Sequence, residues 1–239
     1  MTTPATIIAL AWPDTPVIRE GKWYDLPMSW LGFLKDGYYK AGHAAFLLIN
    51  HHTGDVHYFD YGRYHTPYQC GRVRDQHTDP DVAVPRKALI VNGEIANLEE
   101  LLLERYGNPA CHGEGRLTAA ITRNICFDRA YAKAKQMQAR EAIPYGPFVP
   151  KGSTCSRLVV QVVHASTKDR LTKLLIRLPY TISATPRSNN KVLNDHPFYY
   201  EVEQGRVQQK RNTWYGFKQL FQPRSMRNTS SMNPVVKTV

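Results

Sequence analysis

The stretch GHAAFLLINHHTGDVHYFDYG, residues 42–62, decides the fold because it contains the clearest supersecondary unit of the chain. Two runs rich in apolar and aromatic residues, 44–49 and 56–61, flank the turn signal Thr53-Gly54-Asp55. Two strand-forming runs joined by a short turn that contains glycine are typical of a β-hairpin. The stretch therefore predicts an antiparallel pair of strands.

The register of this hairpin determines which polar side chains meet. If the turn is symmetric, Ala45 lies opposite Asp60, and His43 and Asp60 project from the same face of adjacent strands. A turn one residue longer would replace Asp60 with His57 or Phe59, because a one-residue slip turns every side chain to the other face. The sequence thus leaves Asp60 and His57 as alternative neighbours of His43.

A second informative segment begins at Cys155, which follows Gly152-Ser153-Thr154 and opens an apolar run. The β-branched residues of that run favour a strand, whereas its position after Ser-Thr favours a capped helix. A cysteine at a helix start gains from the positive end of the helix dipole, and a nearby imidazole can take its proton. We therefore predict Cys155 as a nucleophile, His43 as its base, and Asp60 or His57 as the group that orients the imidazole.

Composition indicates one large globular domain, with or without an appendage. The chain has 239 residues, of which 42% are hydrophobic, and a formal net charge of +11. Residues 165–239 hold thirteen Lys and Arg against four Asp and Glu, which predicts either an anionic partner or a solvated basic tail there. We expect a core domain over residues 1–164 and a basic C-terminal extension over residues 165–239, with roughly the last 16 residues disordered.

Cysteine usage and hydropathy exclude several classes of protein. The four cysteines form no CxxC pair and are irregularly spaced, which argues against a zinc ribbon and against a disulfide framework. The histidines near the hairpin turn have no fixed ligand spacing, so we expect neither a metal nor a cofactor. No apolar run approaches the ~20 residues that span a bilayer, and the N-terminus lacks a signal peptide. We expect a cytoplasmic protein, or one exported without a classical signal peptide.

The remaining segments predict further elements around the hairpin. Residues 95–106 have helical periodicity, and residues 117–137 predict one long helix. Residues 181–194 are polar and loop-like, and a small second hairpin is expected around Gln204-Gly205.

The Gly-His-Ala-Ala strand at residues 42–45 and the late segment Cys155-Ser156-Arg157-Leu158-Val159 resemble the circularly permuted NlpC/P60 group of papain-like proteins. That group includes the lecithin:retinol-acyltransferase-like enzymes, and the resemblance covers roughly residues 23–164. It implies an α+β fold in which an antiparallel sheet packs on helices. It also implies cleavage of an amide or ester bond through a thioester, with the third polar residue of the family mapping to Asp60 or His57.

These observations together predict a cysteine hydrolase that acts on an amide bond in a peptide or in peptidoglycan. Three arginines that follow the hairpin, Arg63, Arg72 and Arg74, are predicted to bind an anionic group of the substrate, because guanidinium forks suit carboxylates and phosphates. The alternative is a non-catalytic protein that binds nucleic acid or another anionic polymer through its basic C-terminal part.

Overall fold

The computed structural model describes residues 3–19, 21–39, 41–177 and 183–215. Their strands are β1 (Pro4–Trp12), β2 (Val17–Ile18), β3 (Leu34–Lys35), β4 (Tyr38–Tyr39), β5 (His43–Asn50), β6 (Val56–Gly62), β7 (Cys70–Arg74), β8 (Ile90–Val91), β9 (Glu94–Ile95), β10 (Leu117–Cys126), β11 (Ile143–Pro144), β12 (Phe198–Glu203) and β13 (Arg206–Arg211). Their helices are α1 (Asp25–Trp30), α2 (Leu98–Gly107), α3 (Phe127–Gln138), α4 (Cys155–Ser166), α5 (Arg170–Arg177) and α6 (Pro186–Leu193).

A large antiparallel sheet organises this mixed α/β fold. Its eight strands run in the order β11-β7-β6-β5-β1-β10-β12-β13, and every pair of neighbours is antiparallel. The predicted hairpin is formed by β5 and β6, and Ala45 pairs with Asp60 as the symmetric turn requires. The predicted register is therefore confirmed.

Both faces of the sheet are covered, which explains the continuous apolar runs of its central strands. On one face, Phe46 and Phe59 pack with Leu158 of α4, and α3, α5 and α6 complete that cluster. On the other face, Leu47 packs with Leu101 and its neighbours in α2. Burial on both sides holds the start of β5 and the end of β6 in fixed positions, and these ends carry His43 and Asp60.

Two secondary-structure predictions are wrong. Residues 117–137 do not form one helix, because β10 ends at Cys126 and α3 begins at Phe127. The β-branched residues of β10 favour a strand, and its pairing with both β1 and β12 outweighs the local helical pattern. Residues 186–193 form a helix rather than a loop, since Thr185 and Ser188 build a reciprocal capping box at its start.

The basic C-terminal part contributes to the same sheet. The predicted hairpin around Gln204-Gly205 is confirmed as β12 and β13, and β12 pairs with β10. Residues on both sides of the predicted boundary after position 164 thus share one sheet, and the boundary stays a prediction. The last 16 or so residues, predicted to be disordered, lie outside the described residues. Within the described ranges, no helix is both long and apolar enough to cross a membrane.

Candidate active site

Cys155 is the first residue of α4, so the helix alternative for this segment is the correct one. Thr154 is extended and caps the helix, because its hydroxyl oxygen accepts a hydrogen bond from the backbone N–H of Arg157 at 3.2 Å. The Cys155 side chain is buried, yet it lines a cleft. The thiol therefore lies at the positive end of the helix dipole, where a thiolate is stabilised.

His43 is the first residue of β5, and the residues around it fix the imidazole ring. The ring stacks on Trp12 with a centroid distance of 5.9 Å and an interplanar angle of 28°. Gly42 has a φ of +73°, and a Cβ there would lie 2.7 Å from the Trp12 carbonyl oxygen. Gly113 packs directly on the Trp12 ring, since a Cβ at that position would lie 2.3 Å from the indole. The chain thus needs glycine at both positions to hold Trp12 against His43.

His43 contacts both other members of the predicted triad. Its Nε2 lies 3.4 Å from Oδ2 of Asp60. Nε2 has no hydrogen bond of ordinary geometry to any described residue, so this contact is an ion pair when the ring is protonated. Cys155 favours the protonated form of His43, and His43 together with the backbone N–H of Ala44 favours the thiolate of Cys155. Because Nε2 faces Asp60, Nδ1 is the ring nitrogen left for Cys155.

Asp60 is fully buried and is held by a network of donors. The Arg74 guanidinium donates to both carboxylate oxygens, at 3.0 Å from Nε to Oδ1 and 2.6 Å to Oδ2. The hydroxyls of Tyr58 and Tyr64 each donate to Oδ2 at 3.0 Å. Gly62 permits the Tyr64 contact, because a Cβ there would lie 2.5 Å from the tyrosine ring. A buried carboxylate with this many partners is fixed in position and remains ionised.

The electrostatics of the three groups favour a thiolate beside an imidazolium. Burial alone would lower the pKa of His43, but its contacts with Asp60 and Cys155 outweigh burial and raise that pKa to about 9. Burial would raise the pKa of Cys155, but the hydrogen bond and charge of His43 hold it below its ordinary value. Burial likewise opposes ionisation of Asp60, yet His43 and Arg74 lower its pKa to about 2. The arrangement can therefore supply a nucleophilic thiolate near neutral pH.

His57, the alternative neighbour of His43, lies elsewhere. It is opposite Leu48 in the hairpin, and its ring contacts Phe127 and Tyr131 of α3 at centroid distances of 5.6 and 5.3 Å. Its half-buried ring is packed against aromatic side chains. Asp60 is thus the hairpin residue beside His43.

The three predicted substrate-binding arginines have protein partners. Arg74 is buried and donates to Asp60 and to the Ala110 carbonyl, so it is not exposed to a ligand. Arg72 forms a two-pronged ion pair with Asp79 at 2.6 and 2.7 Å. Arg63 borders the cleft, where it donates to the Ile18 carbonyl at 3.2 Å and lies over the Tyr145 ring. Of the three, only Arg63 contacts residues of the cleft wall, and its role in substrate binding stays a prediction.

The cleft in front of Cys155 has a volume of about 410 Å³. Its wall consists mainly of apolar and aromatic side chains, among them Tyr24, Met28, Phe33, Tyr145 and Phe148. One wall is the small unit formed by α1 and the sheet β2-β4-β3, and another is the start of α6. Within the described parts of the chain, no group of three or more His, Cys, Asp or Glu side chains is arranged to hold a metal ion.

Sequence reasoning missed the residues that support Asp60 and the acid that lines the cleft. Tyr58 lies two positions before Asp60 and therefore on the same strand face, a signal that was available. For Arg74 the sequence predicts only a ligand for anions. Asp25 of α1 lies in the cleft wall, and nothing in its local sequence distinguishes it from a surface acid.

Comparisons with known proteins indicate the relationship of the chain. The family described as "Type VI secretion system effector TseH-like" matches residues 7–171. The crystal structure of the type VI secretion system effector TseH is similar in fold, with a TM-score of 0.56 and 19% identity over 87% of this chain and 98% of that chain. No curated protein sequence matches the chain. Since the family match spans more than half of the sequence, the chain belongs to the Type VI secretion system effector TseH-like family.

Proposed function

We propose that this protein is a cysteine hydrolase with a permuted papain-like core, and that it cleaves an amide bond in a peptide or in peptidoglycan. The observation that carries the proposal is the position of His43, whose Nε2 lies 3.4 Å from Asp60 and whose charge lowers the pKa of the Cys155 thiol. A nucleophile that lines a cleft, with a buried base and a carboxylate beside the base, fits nucleophilic catalysis. Membership of an effector family fits export by a dedicated secretion machine.

In the proposed reaction, His43 holds the proton of Cys155, and the thiolate attacks the carbonyl carbon of the substrate. The backbone N–H of Cys155, together with a neighbouring donor, stabilises the oxyanion that forms. His43 then gives its proton to the leaving amine as the carbon–nitrogen bond breaks, and a thioester remains on Cys155. Water, deprotonated by His43, hydrolyses the thioester and restores the free thiol. Asp60 stabilises the imidazolium form throughout.

The pH dependence of Cys155 alkylation by iodoacetamide tests this proposal. In the unchanged protein we expect alkylation to remain fast well below the ordinary pKa of a thiol, because His43 stabilises the thiolate. In His43→Ala the thiol should react only at higher pH. His57→Ala is the matched control, since it removes a half-buried histidine of the same hairpin that packs on α3.

Two results would contradict the proposal. One is an alkylation profile of an ordinary thiol in the unchanged protein. The other is a low-pH reactivity that persists in His43→Ala, since the stabilising group would then be a different one.

A second candidate function is binding of an anionic polymer. The observation that favours it is a cavity of about 190 Å³ whose wall includes Arg116, Arg187, Lys191 and Arg211 with the single acid Glu201. Several cations around one concave surface are typical of a site for phosphate or carboxylate groups. This function and the hydrolase function use different parts of the molecule, so they are not mutually exclusive.

Fluorescence anisotropy with a labelled single-stranded oligonucleotide tests the second candidate. Binding should weaken steeply as salt rises, and Lys191→Gln with Arg211→Gln should reduce the salt slope. Arg86→Gln, which removes a half-exposed arginine from another surface, is the control. Binding that is absent, or equally weakened by Arg86→Gln, would remove this candidate.

A further inference from the structure

We propose that Asp25 makes the cleft in front of Cys155 selective for a substrate that carries a positively charged group. This inference rests on the proposed function, because it concerns the substrate of the same site. The chemical class it names is an ammonium or guanidinium group on a short apolar chain, such as the side chain of a basic amino acid.

The composition of the cleft wall is the first support. Among the described residues that line the cleft, Asp25 is the charged one, and the others are apolar, aromatic or hydroxyl-bearing apart from Cys155. A cleft that is largely apolar lowers the local dielectric constant, which strengthens the effect of one charge on a bound ligand. The sign of that charge therefore discriminates between ligands.

The contacts of Asp25 are the second support. Its side chain accepts a hydrogen bond from the backbone N–H of Lys22 at 3.0 Å and a short one from the Tyr39 hydroxyl, and the residue is only 7% exposed. In the described part of the chain, no Lys, Arg or His forms an ion pair with it. Burial and the neighbouring carboxylate raise the pKa of Tyr39 well above its usual range, so the hydroxyl stays protonated. Asp25 thus accepts two hydrogen bonds in the cleft wall but forms no ion pair with a described residue, whereas buried charged groups are ordinarily paired.

The orientation of α1 is the third support. Asp25 and Met28 face the cleft, while Leu26 and Trp30 on the outer surface are 60% and 78% exposed. An ordinary amphipathic helix turns its apolar side chains inward and its charges outward. The inward orientation lets Asp25 accept its hydrogen bonds from Lys22 and Tyr39, and it also presents the carboxylate to a ligand in the cleft.

The surrounding rings fit the same ligand class. Tyr24 and Phe148 both line the cleft and contact each other edge to face, with a centroid distance of 5.3 Å. Aromatic faces attract cations and pack on the methylene groups of a basic side chain. A ligand with a carboxylate in this position would face both Asp25 and the negative ring faces, so it should be excluded.

Three thiol reagents that share one reactive group test this inference without a natural substrate. They are the positively charged 2-aminoethyl, the neutral methyl and the negatively charged 2-sulfonatoethyl methanethiosulfonates. In each case the Cys155 thiolate attacks the sulfenyl sulfur, a disulfide forms, the bond to the sulfonyl sulfur breaks, and methanesulfinate leaves. Rates at Cys155 are measured by peptide mass spectrometry at low and high ionic strength, so that other cysteines do not contribute.

For each thiol we compare the ratio of the cationic to the anionic reaction rate. In the unchanged protein we expect this ratio at Cys155 to be at least about tenfold larger than the ratio for a small free thiol. Asp25→Asn should remove most of this preference and leave the neutral reagent unaffected. Asp25→Glu should restore it, because the charge returns. Asp36→Asn is the matched control, since it removes the same charge from an exposed residue of the same small unit that does not line the cleft.

A preference that is absent, or that persists in Asp25→Asn, would overturn the inference. The neutral reagent separates this failure from failure of the proposed function. If its rate depends on His43 while the charge preference is missing, the nucleophile stands and the role of Asp25 falls. If the rate of the neutral reagent is independent of His43 while the charge preference is present, the role of Asp25 stands and the proposed nucleophile falls.

Discussion

Asp60→Asn is the substitution that most directly tests the electrostatics of the site. It preserves size and shape but removes a negative charge whose oxygen lies 3.4 Å from Nε2 of His43. At an effective dielectric constant of about 20, two unit charges at that distance attract by about 5 kcal/mol. This is an upper limit, because the Arg74 guanidinium lies 2.6 Å from the same oxygen and cancels part of the field at His43.

The expected effect follows from this reduced attraction. An opposite charge within a few ångströms shifts a pKa by about 1–3 units, and the presence of Arg74 favours the lower part of that range. We expect the pKa of His43 to fall from about 9 by roughly 1–2 units, which is about 1.4–3 kcal/mol. At a pKa of about 7–8 the imidazole still holds its proton below neutral pH, so the alkylation rate at pH 5–6 should change little. The step of the alkylation profile that reports loss of the His43 proton should move down from near pH 9 by the same 1–2 units.

The assay is the iodoacetamide rate at Cys155 from pH 4 to 10, with folding verified by circular dichroism. The single variant leaves Arg74 buried without its partner, which can cost about 3–5 kcal/mol of stability. The double variant Asp60→Asn/Arg74→Gln removes both charges and avoids that cost. Asp79→Asn is the matched control, because it breaks the Arg72 ion pair, which is on the same strand but does not contact His43.

The reasoning would be refuted by a folded double variant in which the His43 step stays near pH 9. That result would mean that Asp60 does not stabilise the imidazolium. It would also mean that the contact with Cys155 alone sets the pKa of His43.

Three further predictions concern the supports of the site. Thr154→Ala should lower the free energy of unfolding by about 1 kcal/mol in urea titrations, because α4 loses its cap, and it should also slow alkylation of Cys155. Thr154→Ser should restore both the stability and the alkylation rate. Gly113→Ala should slow alkylation, since its Cβ would lie 2.3 Å from the Trp12 indole, and an unchanged rate would show that the ring can move without cost. Asp60 has a pKa of about 2 instead of the ordinary 3.8, so it should contribute about 2 kcal/mol of stability above pH 4, and this contribution is lost as the pH falls toward 2. Urea midpoints measured from pH 6 to pH 2 should show this loss. In Asp60→Asn/Arg74→Gln the urea midpoint should depend less on pH.

The hairpin was predictable because its turn and its two strands are consistent with each other in the sequence. A symmetric turn pairs Ala45 with Asp60, and that single register brings Asp60 to His43 and leaves His57 on the other face. The position of Cys155 at a helix start was predictable from the Ser-Thr that precedes it, although the β-branched residues after it favoured a strand. The β-branched residues are buried against the sheet in the helical form, and this tertiary packing outweighs their strand propensity.

The strand β10 was not predictable by the same means. Its sequence from Leu117 leads without a turn signal into α3, so the helical pattern of residues 127–138 extends backwards over the strand. What makes residues 117–126 a strand is pairing on both sides, with β1 and with β12, and both partners are far away in the chain. Such long-range pairing overrides local propensity and is invisible in a window of a dozen residues.

The same limit explains the interpretation of the arginines. Arg74 pairs with Asp60 across β6 and β7, and this pairing needs the third strand of the meander to be placed in register. The connection over residues 63–69 carries no short turn motif, so the sequence predicts a polar loop plus a short strand without fixing the register of that strand. Once β7 is placed, a cation opposite a buried carboxylate is the expected cross-strand partner. Arg74 therefore pairs with Asp60, the carboxylate that faces His43, and does not bind a ligand in the cleft. Among the described residues that line the cleft in front of Cys155, Asp25 is the charged one.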